Sequence, residues 1–376
     1  MKTVTPAQHK PLPGQGRDFT TKHTEATKGS EAISRSSFGR FVGKTFPRTP
    51  TLACPARVVR NCGGMNLQGI PVLVTGGSGF VGGRIAAWLA AQGADVRALV
   101  RRAGAHPGLE SPRITQVEGD FIDAATAQRA CAGRELVFHA AATVGRDLAE
   151  ALHVNATGTA VLAAAARTTG CRRFIHISTL SVYDFQSGRA EFAEDAPLRE
   201  VGKTYPHSPA ASPHYGTAKA EAERGLQAEM ARGLPATIFR LGAVLGVHPT
   251  SSWAVKVPAK VRTGLVAIRG DGSDVMPWTH VDNVTHAIGL ALDRPASIGR
   301  AYNVVDGEVA WRDFIGEMRS WFPGAPPAPV LPADAVAFIG HCPSERLKTE
   351  LGYAPVRTYA AGMAEAAAWW KTQAPA

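Results

Sequence analysis

The chain has 376 residues, 45% of them hydrophobic, and a net charge of +10. That length and composition suit a large core or two unequal domains, and they exclude a fibrous or disulfide-built protein. Residues 1–64 hold 11 Lys/Arg against 3 Asp/Glu, so the remainder is nearly neutral and the basic balance gives no reason to expect a nucleic-acid partner.

The five cysteines, at 54, 62, 131, 171 and 342, form no CxxC pair and no metal-ligand cluster. Their odd number argues against a closed disulfide set, so a reducing, cytoplasmic compartment is expected, with no metal. No run of about 18 apolar residues is present, and no membrane span is expected. Residues 1–64, rich in Lys, Arg, Ser, Thr, Gly and Pro, read as a disordered basic leader. They share the composition of an organellar transit peptide but lack its amphipathic face, and Met65–Ile70 is a natural start for the first strand.

The first strong element is Pro71-Val72-Leu73-Val74-Thr75, a buried strand, running through a glycine turn into the helix Arg84-Ile85-Ala86-Ala87-Trp88-Leu89. Gly76, Gly79 and Gly82 punctuate the turn. Their spacing serves a tight turn, close approach of backbone to a pyrophosphate, and packing of helix on strand. With Ser78, Phe80 and Val81 they form the expected phosphate-binding segment, where the helix N-terminus presents free N–H groups.

A second strand, Asp95–Val100, ends at Arg101-Arg102, where an acidic residue would hold a ribose 2′-hydroxyl. A guanidinium there suits a 2′-phosphate, which makes NADP the preferred cofactor and NAD the alternative. A third strand, Arg113–Phe121, ends in Gly-Asp. A fourth, Glu135–Ala142, ends in the small residues Ala140, Ala141 and Ala142, against which a ligand could lie. A helix through Asn155–Leu162 leads to a fifth strand, Arg173–Thr179. This alternation implies an α/β fold with a Rossmann-type, doubly wound parallel sheet.

Farther on, the alanine-rich helix at Pro213–Glu223 carries Tyr215 and Lys219 four residues apart on one face. A phenol with a pKa of about 10 needs a nearby positive charge to work as an acid or base at neutral pH, and Lys219 could provide it. Histidines 139, 176, 207, 214 and 280 show no metal spacing and read as packing residues.

Thr75-Gly76-Gly77-Ser78-Gly79-Phe80-Val81-Gly82, His176-Ile177-Ser178-Thr179-Leu180-Ser181-Val182-Tyr183 and Tyr215-Gly216-Thr217-Ala218-Lys219 together resemble the extended short-chain dehydrogenase/reductases, in order and spacing. Asn155–Thr159, Trp278–Val284 and Tyr302–Glu308 add to that resemblance, which spans 70 to about 370. It implies that Tyr215 is the general acid or base, that Lys219 holds the nicotinamide ribose, and that Thr179 orients the substrate oxygen, with Ser178 and Ser181 as close alternatives. It also implies cofactor contact at Asp120, Phe121, Asn155, Leu241 and Val244. The implied organisation is a dinucleotide domain over 70–245 and a substrate part over 246–376, with 278–306 returning to the first. Homodimers are usual for such proteins.

Arg240-Leu241-Gly242-Ala243-Val244-Leu245-Gly246 looks nearer to the hydroxysteroid dehydrogenase and flavonoid ketoreductase branches than to nucleotide-sugar epimerases. The resemblance therefore implies NADP-dependent interconversion of a carbonyl and a secondary alcohol on a small hydrophobic or steroid-like substrate. Nucleotide-sugar epimerisation with an internally recycled cofactor is the alternative, and a non-catalytic dinucleotide sensor is the last. Leu180-Ser181 stands where related dehydratases place an acidic pair. The segment Val201–Pro213, with three prolines, reads as a loop over the site. Lys256, Lys260, Arg262 and Arg269 are cations that a sugar-nucleotide pyrophosphate would want.

Overall fold

The structure, a computed structural model, describes residues 66–373 apart from 105, 107, 206–212 and 333–339. The expectations for residues 1–64 and for His207, Pro206 and Pro209 fall outside the described residues.

Seven parallel strands form the central sheet. They are β1 (Pro71–Thr75), β2 (Asp95–Val100), β3 (Ile114–Glu118), β4 (Leu136–His139), β5 (Arg173–Thr179), β6 (Ala236–Leu241) and β10 (Ala301–Val304). Their order is β10-β6-β5-β4-β1-β2-β3, every adjacent pair parallel. The order reverses between β1 and β4, which opens a crevice at the carboxyl ends of the strands.

Because side chains alternate along a strand, β1 feeds two cores at once. Val72 and Val74 pack with Ile85 and Leu89 of α1 (Phe80–Ala91), while Leu73 packs on the opposite face with Leu162, Phe174 and Leu226. The second face is covered by α2 (Ala124–Cys131), α4 (Gly158–Thr168) and α5 (Tyr215–Ala231), with the short α3 (Leu148–Leu152) preceding α4. Burying one Leu or Val of this kind contributes about 1.5–3 kcal/mol, so a strand buried on both faces needs no polar alternation.

Beyond β6, a three-stranded sheet joins β7 (Ala243–Leu245), β9 (Val275–His280) and β11 (Gly307–Ala310), and β8 (Ile268–Arg269) pairs with β12 (Val330–Leu331). Around them lie α6 (Val257–Arg262), α7 (Val281–Leu292), α8 (Trp311–Ser320), α9 (Glu345–Leu351) and α10 (Tyr359–Thr372). This region has its own core, with Trp278, Phe314 and Met318 buried and Trp253 and Trp311 packed against them.

The late motifs have a structural explanation. Asp306, just past β10, accepts from Thr279 Oγ1 at 2.8 Å, the His280 backbone N–H at 3.0 Å and Asn283 Nδ2 at 2.6 Å. Asn283 in turn accepts from the backbone N–H groups of Val356 and Arg357 at 2.9 and 2.7 Å. Asp306 and Asn283 thereby tie the end of β10 to the start of α7 and to the C-terminal segment.

The third and fourth strands are shorter than the sequence suggests, ending at Glu118 and His139. Past those points Gly119–Phe121 and Ala140–Ala142 are loop.

Candidate active site

The glycine turn lies at the end of β1. Gly76 has φ +73°, and a Cβ on it would stand 2.6 Å from the Ala141 backbone nitrogen. A Cβ on Gly82 would stand 2.2 Å from the Gly76 carbonyl oxygen. Nothing but glycine lets α1 start this close to the turn. Gly79, the residue before the helix, has extended backbone and its cap carries no side-chain hydrogen bond, so the first helical N–H groups face the crevice free of a side-chain cap. A cradle with no room for a Cβ and with uncapped amide donors fits a pyrophosphate. Gly82→Ala is expected to lower stability by about 1–3 kcal/mol and to weaken dinucleotide binding at least tenfold, read by thermal melting and by nucleotide fluorescence.

The other expected contacts have the following local surroundings. Ala140 and Ala141 are half-buried and Ala142 is exposed just after β4, with the Ala141 N–H pointing at Thr75 Oγ1 at 3.4 Å. Asn155, buried in a π-type turn at His153–Thr157, donates to the Thr143 carbonyl at 2.8 Å and accepts from its N–H at 2.9 Å. Its role is therefore to clamp the segment after β4. Asp120 is exposed and caps the Ile122 N–H at 3.1 Å, and Phe121 is half-buried against the His139 ring at 5.1 Å. Leu241 is buried and Val244 half-buried, both in the core beside the crevice.

Arg101 is exposed at the end of β2. The loop behind it is fixed to β3, with Glu118 accepting from the Ala103 N–H at 2.7 Å and Gln116 from the Gly104 N–H at 3.1 Å.

The candidate catalytic residues lie on β5, on the turn after it and on α5. Tyr215 is the first residue of α5, so the helix starts two residues later than Pro213. Strand alternation separates Ser178 from Thr179, its neighbour on β5. Ser178 faces α5 and donates to Glu223 Oε1 at 2.5 Å, which removes it from the crevice. Thr179 is half-buried at the strand end and accepts from the Ser181 N–H at 3.2 Å. Ser181 is half-buried in the 3₁₀ turn that follows.

Lys219 is fully sequestered: its Nζ donates to the Ile177 carbonyl at 2.8 Å and contacts His176 Nε2 at 3.0 Å. Burial pushes its ammonium down to about 7, opposed by the Glu223 carboxylate one turn along α5. The half-buried Tyr215 moves the other way, its phenol raised by burial to about 12. Desolvation governs the shift of both groups, and two of the amine's protons are taken up by β5.

Beneath this pair runs a polar spine that the sequence does not announce. Arg240 of β6 and Glu223 form an ion pair at 2.7 Å with side chains 3% and 0% exposed. Arg240 also donates to Tyr183 Oη at 2.8 Å, and Tyr183 donates to Asn303 at 2.7 Å. A faint signal exists: Tyr215, Lys219 and Glu223 form an i, i+4, i+8 stripe, and a charged residue inside the apolar run Thr237–Leu241 demands a buried partner. No cluster of metal-binding side chains occurs among the described residues.

On the substrate side, Phe80 stacks on His248 with ring centroids 5.7 Å apart. Arg269 is engaged by Asp274, and Lys256, Lys260 and Arg262 lie exposed around α6, whose buried face is Val257, Pro258 and Val261. No helix among the described residues is long and apolar enough to cross a membrane.

The sequence model of the NAD dependent epimerase/dehydratase family matches residues 72–305. The chain is 29% identical over 245 residues to a 4-hydroxy-2-methyl-3-oxo-4-farnesyl-3,4-dihydroquinoline-1-oxide ketoreductase of Stigmatella aurantiaca, covering 64% of this chain and 70% of the relative. It is 29% identical to a 2-alkyl-3-oxoalkanoate reductase of Stenotrophomonas maltophilia, covering 66% and 74%. Among solved structures, DesIV, a dTDP-glucose 4,6-dehydratase of Streptomyces venezuelae with NAD and TYD bound, superposes with a TM-score of 0.65 at 27% identity, covering 81% of this chain and 97% of that one.

Proposed function

The chain belongs to the NAD dependent epimerase/dehydratase family, within the extended short-chain dehydrogenase/reductases, whose members are NAD(P)-dependent enzymes; from that premise we propose that it is an NADPH-dependent reductase of an apolar ketone. The observation that supports this reading is that Lys219 Nζ, on the α5 helix that Tyr215 begins, bonds the Ile177 carbonyl two residues before Thr179, in the same sheet whose β1 ends in the Gly76–Gly82 turn.

In this reading the α1 N-terminus and the glycine turn hold the pyrophosphate, and Arg101 meets the ribose 2′-phosphate. A bound reduced nicotinamide supplies the hydride. Tyr215 gives its phenolic proton to the carbonyl oxygen as the carbon takes the hydride, and Thr179 orients that oxygen by a hydrogen bond. Carbonyl, hydride and proton balance to a secondary alcohol, and the reverse direction needs the Tyr215 phenolate as base. Asn155 keeps the post-β4 segment in register with the turn.

Two relatives named as a ketoreductase and a reductase support the ketone. The superposition on DesIV favours a second reading, conversion of a nucleotide sugar with the cofactor recycled in place. Leu180 and Ser181, in place of an acidic pair, speak against dehydration.

The test follows nicotinamide absorbance across a panel of apolar ketones. NADPH should be consumed well above NADH, and Arg101→Ala should lose about tenfold or more of the NADPH affinity while NADH is unchanged, as expected for a charge-assisted contact. No net consumption by any ketone, with turnover of dTDP-glucose instead, would replace the first reading by the second. Equal loss of both cofactors in Arg101→Ala would remove the role given to Arg101.

A further inference from the structure

Lys219 reaches into a strip of buried bases. His176, on β5, meets its Nζ at 3.0 Å through Nε2. The other ring nitrogen, Nδ1, is buried with no hydrogen-bond partner, in a residue that is 0% exposed. The His139 ring on β4 lies 5.3 Å away, and both its nitrogens are spent on hydroxyls, Nδ1 with Thr75 Oγ1 at 2.7 Å and Nε2 with Thr159 Oγ1 at 2.9 Å. From α5 the titratable neighbours are Tyr215 and Glu223, and from β6 Arg240 backs Glu223.

An ammonium has three protons and no lone pair, so any partner it touches must accept. Two of the Lys219 protons are directed by the Ile177 carbonyl and His176 Nε2, which leaves one to point out of the β5–α5 junction. For Nε2 to accept, His176 must carry its proton on Nδ1, the nitrogen that is orphaned. Leaving a buried N–H without a partner is costly. The opposite tautomer would face an N–H against the amine, so the orphan is the consequence of the lysine contact. A second charge in this strip is opposed on every side by burial and by Lys219 itself, and both His176 and His139 are held neutral well below the usual imidazole range.

We propose that His176 is a positioning residue for Lys219, a neutral acceptor that keeps the lysine protonated and aimed so that its one remaining N–H meets the nicotinamide ribose. This rests on the reading that the crevice binds NADP(H). Loss of the acceptor leaves the amine with burial and fewer partners, so its proton is given up at lower pH. Nucleotide binding, where it depends on that proton, should then fail at a lower pH as well.

The probe is NADPH, titrated against the full-length protein by fluorescence between pH 6 and pH 9, with no turnover required. Wild type, His176→Leu and His176→Gln are compared, the glutamine keeping an amide oxygen for Lys219. Ionisation of the 2′-phosphate is common to all three and cancels. The leucine variant should bind within about twofold of wild type at pH 6 and about tenfold more weakly at pH 8, a midpoint shift of about one unit. The glutamine variant should recover most of that loss. In a Lys219→Met background the leucine change should no longer alter the pH dependence. If His176→Leu loses its cooperative melt, His176→Phe, which keeps a ring against His139 without an acceptor, takes its place. A pH profile parallel to wild type in these variants, or an effect that persists without Lys219, overturns the proposal. Failure of wild type to bind NADPH at any pH overturns the nucleotide reading and this proposal with it.

Discussion

Tyr215→Phe is expected to lower turnover by about 10²–10⁴-fold while NADPH affinity stays within about threefold of wild type. Phenylalanine removes one oxygen and one proton and keeps the ring that seats the first turn of α5, so folding and the nucleotide cradle are untouched. The pH dependence should follow from the form of the phenol. Burial pushes Tyr215 up to about 12, so the acid form predominates at neutral pH and is the form that ketone reduction consumes. Alcohol oxidation needs the phenolate, which increases as pH rises toward the phenol's pKa, so oxidation should gain with pH where reduction does not. Steady-state rates in both directions, with binding measured separately, check this. Turnover above a tenth of wild type in Tyr215→Phe would remove Tyr215 as the proton donor.

The parts of this site that are legible in sequence are those fixed by backbone or by local spacing. Gly76 and Gly82 announce themselves because the turn has no room for a Cβ at either, and that requirement is written within a few consecutive positions. Tyr215 and Lys219 are legible as a pair because one helical turn separates them. What is not legible depends on strand-to-helix packing across distant segments. Lys219 meets His176 43 positions away in sequence, and no local pattern says that an amine will turn to a strand rather than to a tyrosine four residues back. The same holds for the choice among Ser178, Thr179 and Ser181. It depends on which face of β5 is covered by α5, where Glu223 takes the Ser178 hydroxyl and leaves Thr179 and Ser181. Sequence carries the strands too far beyond Glu118 and His139 because apolar and small residues continue into the loops that line the crevice.

Glu223→Gln should lower stability more than Gly82→Ala does, and it should do so together with a change in Lys219. The carboxylate is 0% exposed and accepts from Arg240 and Ser178, so removing its charge leaves a buried guanidinium without compensation. Breaking such a pair costs about 3–5 kcal/mol, on the order of 10 °C in the melting temperature for a chain of this size. The double change Glu223→Leu with Arg240→Met removes both charges and fills the space with apolar atoms, and replacement of that kind is often neutral or stabilising. It should therefore recover most of the melt. It should not recover the second effect. Glu223 is the charge that opposes desolvation of Lys219, so without it the ammonium falls below about 7 and less of it is present at pH 7.5. NADPH affinity at that pH should stay weakened in the double variant and return toward wild type at pH 6, where the amine is protonated again. Restored binding at pH 7.5 alongside the restored melt would show that Glu223 serves the packing of β6 on α5 alone. Separation of the two would make it, with His176, one of two groups that set the charge of the same buried amine.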